Sequence, residues 1–209
     1  LVVATLLKGD AHHYIEVVSD QVWTHVRLNI FPDGGVARLR VYGEVACDWA
    51  RRERNQSYDL IALENGGRII GCNDAHYGAP ENLLAPGRGI NMGDGWQTRR
   101  RREPGNDWVV IALGTAGVIN EILVDTAHFK GNYPDCCSLQ GARANDGTEQ
   151  SLITQSMFWN LLLPQQKLQM DAEHVFKDAI RPLGAITHVR LNIHPDGGVS
   201  RLRLFGTPE

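Results

Sequence analysis

Polar and apolar residues alternate with a period of two over much of the chain, and that period marks half-buried strands. Over His188 to Ile193 the side chains of Val189, Leu191 and Ile193 fall on one face, and those of His188, Arg190 and Asn192 on the other. Pro195-Asp196-Gly197-Gly198 follows as a turn, and Val199 to Phe205 resumes the alternation, with Ser200, Leu202 and Leu204 against Val199, Arg201, Arg203 and Phe205. The pattern predicts a strand, a turn and a second strand, read as a hairpin. Trp108 to Leu113 and Ile119 to Asp125 are two further β-type runs with Gly114-Thr115-Ala116-Gly117 between them, and Ile69 to Gly71 suggests a strand entering a loop at Cys72-Asn73-Asp74. Helix signals are sparse. Many short strands joined by glycine- and proline-rich turns predict an all-β fold, an antiparallel β-sandwich or jelly roll, over a doubly wound sheet.

The strand pattern occurs twice. THVRLNIFPDGGVARLRVYG at Thr24 to Gly43 returns as THVRLNIHPDGGVSRLRLFG at Thr187 to Gly206, differing at Phe31/His194, Ala37/Ser200, Val41/Leu204 and Tyr42/Phe205. Asp10, Ala11 and His13 also align with Asp171, Ala172 and His174 across a two-residue gap. Such identity at so long a spacing indicates domain duplication, not a short solenoid repeat. The predicted division is residues 1–45 as the closing remnant of a first repeat and 46–209 as a complete second one. The first copy then lacks counterparts of most of the second.

Composition narrows the classes. With 43% hydrophobic and 22% charged residues, 22 glycines and 9 prolines, the 209-residue chain reads as globular and turn-rich. A formal net charge of −3 gives no field for nucleic acid or an acidic membrane surface, so neither is expected as a partner. No apolar run approaches the ~20 residues a membrane-spanning helix needs. The amino terminus shows no basic leader, the final Thr207-Pro208-Glu209 is no peroxisomal signal, and cytoplasm is the expected compartment. Cys47, Cys72, Cys136 and Cys137 form no CxxC pair and fit no zinc spacing, so idle thiols in a reducing compartment are expected.

Three polar clusters exceed what a plain sandwich needs. Gly93 to Trp108 holds four successive arginines, Arg99 to Arg102, among acids and tryptophans. Guanidinium forks bind carboxylates in pairs, so the run suits an anionic small molecule; the alternative is a solvated strand paired with Glu103, Asp94 and Asp107. In Asp125 to Asp135, His128 is a candidate general base or metal ligand that Asp125 could orient; the alternative is a capped turn with an exposed histidine. His188, Arg190 and Asn192, with Asp196, share a face that could line a site or simply meet solvent.

Asn73 to Gly114 (NDAHYGAPENLLAPGRGINMGDGWQTRRRREPGNDWVVIALG), Val124 to Asp135 (VDTAHFKGNYPD), Trp159 to Pro164 (WNLLLP) and the repeated segment together resemble the second repeat of allantoicase, over about Leu60 to Gly206. Thr24 to Gly43 resembles the end of that family's first repeat. The resemblance implies tandem jelly rolls similar to galactose-binding domains, and hydrolysis of allantoate to ureidoglycolate and urea. It implies proton transfer by His128 or Asp94, and substrate binding by Arg99, Arg100, Lys130, Asn132, His188 and Arg190. It raises a divalent ion without naming ligands, and a homo-oligomer. The competing class is a non-catalytic β-sandwich that binds a small polar ligand or a partner.

Overall fold

A computed structural model describes residues 1–144 and 146–209. The chain forms two compact units, Leu1–Gly43 and Glu44–Glu209.

The larger unit is an antiparallel β-sandwich. Its strands are β1 (Tyr58–Asp59), β2 (Arg68–Cys72), β3 (Trp96–Gln97), β4 (Asp107–Asp125), β5 (Cys136–Ala142), β6 (Asn160–Lys167), β7 (Glu173–Phe176), β8 (Ile186–His194), β9 (Gly198–Val199) and β10 (Arg201–Pro208). A seven-residue helix, α1 (Glu149–Gln155), starts where Thr148 Oγ1 accepts from the Ser151 amide, satisfying an otherwise orphaned donor. The main sheet runs β1-β10-β4-β8-β5-β6, with β2 and β7 also paired to β4, while β3 pairs with β9.

Strand β4 organises the fold. Its first half pairs with β8, Asp107 opposite Ile193 and Ala112 opposite His188. Its second half pairs with β10, Ile122 opposite Leu204 and Asp125 opposite Arg201. The register against β8 breaks between Ala112 and Gly117, where the strand passes from one layer to the other. Val109 and Ile111 from one half, and Ile122 and Val124 from the other, join Val189, Leu191, Ile193, Leu202 and Leu204 in one core. Val110 and Ala112, on the opposite side of the first half, bury against Ile70 and Leu152. Burial on both faces explains why that half reads as an unbroken apolar run.

Two expectations from the pattern are corrected. Trp108 to Leu113 and Ile119 to Asp125 are not two strands but parts of one continuous strand that bends at Gly114 to Gly117. The repeated segment is no hairpin: β8 and β10 do not pair with each other, and both pair with β4. Alternation specifies which face of a strand is buried, not which strand lies beside it.

This topology gathers the loops. Ile186 and Pro208 both lie opposite Gly117, while Ile193 and Arg201 lie opposite Asp107 and Asp125. Both ends of β4 therefore sit at one end of the sandwich, bridged by residues 195–200. Loops 73–106, 126–135 and 168–172 open at the same end.

The unit Leu1–Gly43 has no helix or strand and is exposed throughout. It nonetheless keeps the local geometry of its counterpart. Asp10 and Asp171 have φ of 49° and 50°, and Gly34 and Gly197 have 141° and 139°. The Lys8 amide donates to His13 Nε2 at 2.9 Å, as the Gln169 amide does to His174 Nε2 at 2.8 Å. Val26, Leu28 and Ile30 are 43–49% exposed, whereas Val189, Leu191 and Ile193 are fully buried. Hydrogen bonds within the segment shape both copies alike; a ladder and a core need the flanking β4 and β5, for which residues 1–23 supply no equivalent.

No helix among the described residues is long and apolar enough to cross a membrane.

Candidate active site

Loop 83–95 crosses the end of the sandwich and is held by two arginines of β10. Arg203 donates through Nη1 to Leu83 O (3.2 Å) and through Nη2 to Ala85 O and Gly87 O (2.8 Å). Arg201, only 3% exposed, donates through Nε to Gly87 O at 3.2 Å and through Nη2 to Asp94 Oδ2 at 2.8 Å. Its Nη1 also donates to the Asp94 carbonyl. The Asp94 carboxylate further accepts from the Ile90 amide at 3.1 Å, which closes the loop on itself.

His128 meets this loop from the segment after β4. Its Nε2 lies 2.8 Å from Gly89 O, and its amide donates to Asp171 Oδ1 at 2.7 Å. His128 and Asp171 have φ of 71° and 50°, a left-handed conformation that non-glycine residues adopt at a cost and that concentrates at functional sites. The His128 amide beside Asp171 holds that carboxyl below the usual carboxylate range. Lys130 Nζ stands 3.7 Å from the same carboxylate. Beneath them Phe129 is fully buried, packed against Gly95 and Gly198.

The Arg201 guanidinium holds the Asp94 carboxyl below its ordinary range, and the charge of His128 adds to this. A depressed folded value means stability that is fully present above the ordinary carboxylate range and lost as pH falls through the folded value. Asp94→Asn should therefore lower the urea midpoint near neutral pH, with the gap to wild type closing in acid. A gap that does not change with pH would sink this account.

The arginine run occupies a second part of the same end. Asn73, Asp74, the four arginines, Glu103 and Asp107 line a cleft of about 340 Å³. Its frame is internal: Asp107, 2% exposed, accepts from Asn73 Nδ2 and Arg101 Nη1, each at 2.8 Å. The Arg101 amide donates to Asp196 at 2.9 Å, and the Arg99 amide to Asp74 Oδ2 at 2.6 Å. Arg99 keeps its side chain 74% exposed, 3.7 Å from Asp74. Arg100 is exposed on the same cleft. Among the described residues Asp107 and Asp74, not Glu103 or Asp94, pair with the side chains of these arginines.

The structure sets His128 against the loop that carries Asp94, and Lys130 beside Asp171, which holds the His128 amide. Asn132 lies on the same segment, its carbonyl accepting from the Gly198 amide at 2.7 Å. Asp125 does not orient His128; it accepts from the Ala127 amide at 2.8 Å and faces Arg88 at 3.4 Å. His188 and Arg190 lie on the β8 face that packs under Trp108 and Trp159. Arg190, 7% exposed, stacks 4.4 Å from the Trp108 ring and donates to Asn192 Oδ1 and Ser156 Oγ, each at 2.9 Å. Burial lowers the His188 pKa and that of Arg190.

Among the described residues no three His, Cys, Asp or Glu side chains converge as a metal would require. The cysteines are unpaired, and burial pushes the Cys137 thiol up to about 12, which leaves it inert at neutral pH.

The family model described as allantoicase repeat matches residues 1–46 and 58–209, nearly the whole chain in two segments. The chain belongs to the allantoicase family. A probable allantoicase from Burkholderia mallei is 58% identical over 207 residues, which are 99% of this chain and 61% of that protein. The chain therefore spans about three fifths of that curated allantoicase. A crystal structure of allantoicase from Saccharomyces cerevisiae matches with a TM-score of 0.62 at 39% identity, over 72% of this chain and 43% of that one. A fucolectin from striped bass serum matches over 72% of this chain and 47% of its own, with a TM-score of 0.52 at 11% identity, a likeness of fold alone.

Proposed function

We propose that this chain carries an allantoicase site at the loop end of its sandwich, where allantoate and water become ureidoglycolate and urea. The reaction exchanges substituents at a tetrahedral carbon: a C–O bond to water oxygen forms, and the C–N bond to one ureido group breaks. One proton leaves the water and one reaches the departing nitrogen, so a group that carries protons is needed.

His128 carries the reading. A carbonyl only accepts, so the neutral ring bears its hydrogen on Nε2, facing Gly89 O, and keeps a lone pair on Nδ1. Nδ1 accepts the proton of the attacking water. Asp94, held ionised by Arg201, is suited to support the positive charge that His128 then bears and unsuited to donate a proton. The guanidinium groups of Arg99 and Arg100 match the substrate carboxylate, and Asn73 and Asp74 match ureido C=O and N–H.

Urea released from allantoate by the purified 209-residue chain tests this. Turnover above the uncatalysed rate is expected. A folded sample that binds allantoate without producing urea would leave a binding module in its place.

A further inference from the structure

Three contacts hold loop 83–95 on either side of Gly89 and at it. Arg201 ties Gly87 through its carbonyl and Asp94 through both carbonyl and carboxylate, so one buried guanidinium fixes the two ends of the stretch 87–94. Between those anchors Gly89 is pressed onto Ser200: a Cβ at Gly89 would fall 2.3 Å from Ser200 Oγ. Ser200 is fully buried, and its hydroxyl has no hydrogen-bond partner among the described residues. A Cβ at Gly89 would force the Ser200 hydroxyl to turn or the peptide to lift. The carbonyl of this same peptide takes the Nε2 hydrogen of His128. From the other side, Asp171 holds the His128 backbone in its left-handed turn. The residue is thus held at its backbone and at ring Nε2, and its loop-side grip depends on Arg201.

We infer that Arg201 is a positioning residue for the hydrolysis: by fixing residues 87–94 it presents the Gly89 carbonyl that holds His128 with hydrogen on Nε2 and the lone pair of Nδ1 toward the substrate. Arg201 touches no reacting atom in this account. It acts on the base through one peptide, as groups behind a metal-bound histidine select its tautomer. The inference rests on the reading of His128 as the proton acceptor. It adds what that reading lacks, the reason the acceptor is Nδ1.

Nitrogen-15 NMR of the histidine rings tests it on the whole chain, above the pH at which the rings titrate. Wild type should show His128 with a protected Nε2 hydrogen and a fully unprotonated Nδ1. A wild-type ring protonated on Nδ1 overturns the inference at once. In Arg201→Lys the Nε2 hydrogen should exchange freely, and the two nitrogen shifts should move toward those of histidine in water. Gly89→Ala should do the same by lifting the peptide off Ser200, and it decides the matter if loss of the buried guanidinium prevents folding. The same His128 signals in a folded variant as in wild type would overturn the inference. In parallel, urea release should fall about 10–100-fold through kcat with KM little changed, the signature of a misplaced group. If His128→Ala leaves turnover intact, the proposed role of His128 fails, whereas the ring signals still report on Arg201 by themselves.

Discussion

Alanine in place of Gly114 is expected to destabilise the larger unit by at least about 3 kcal/mol, beyond an ordinary overpacked core position. Gly114 lies at the bend of β4, and a Cβ there would fall 1.8 Å from the Asn65 carbonyl oxygen and 2.7 Å from its carbon. These are backbone atoms, so no rotamer change relieves the clash. The neighbouring backbone is itself committed, because the Gly114 amide donates to Leu60 O at 2.9 Å and the Asn65 amide donates to Ala62 O at 3.0 Å. Relief would require separating the bend from residues 60–66, and Leu60 and Ile61 there are fully buried in the core. Gly131→Ala is the control, since nothing lies within 4 Å of its Cβ position. It should stay within about 0.5 kcal/mol of wild type. Urea unfolding followed by tryptophan fluorescence measures both, and a Gly114→Ala midpoint close to that of the control would refute the close-approach argument.

The same glycine shows what could be read from sequence and what could not. The alternation of Val189, Leu191 and Ile193 with polar neighbours located β8 and its buried face, because period two follows from the pleat alone. The glycines at 114 and 117 stood out as well, but a glycine that permits a turn and one that permits two backbones to touch are indistinguishable in one sequence. The partner of β10 was equally hidden. Reading Val199 to Phe205 as half of a hairpin assumed that neighbours in sequence pair, whereas β4 lies between β8 and β10.

The candidate site was legible in part for a related reason. His128 and Asp94 stand out as polar residues in glycine-rich loops, and the fold does set His128 against the loop that carries Asp94. Arg201 and Arg203 passed unnoticed because, alternating with leucines, they look like the wet face of a strand. Only the carbonyls of residues 83–87, more than a hundred positions earlier, reveal that face as covered. The available signal was their recurrence as Arg38 and Arg40 in the repeated segment. Arg190 misled in the opposite direction. It sits with His188 on what reads as an open polar face, yet it stacks on Trp108 and bonds to Ser156. Its charge is used inside the sheet packing, so it is a weaker candidate for substrate than the exposed Arg99 and Arg100.

Replacing His128 by alanine should lower urea release from allantoate by about 10²–10⁴-fold, the range typical of a lost general base. The fold should survive, because the ring is only partly buried and its one described hydrogen bond ends on a loop carbonyl, while Phe129 beside it remains to fill the core. Two features separate this expectation from simple disruption of the loop. The loss should appear in kcat, since His128 does not hold the substrate carboxylate. In wild type, protonating Nδ1 removes the acceptor, so kcat should rise with pH along an acid limb that His128→Ala lacks. Asp94→Asn should behave differently: the base stays in place, so the acid limb should survive. Persistence of the limb in His128→Ala would rule out His128 as the base.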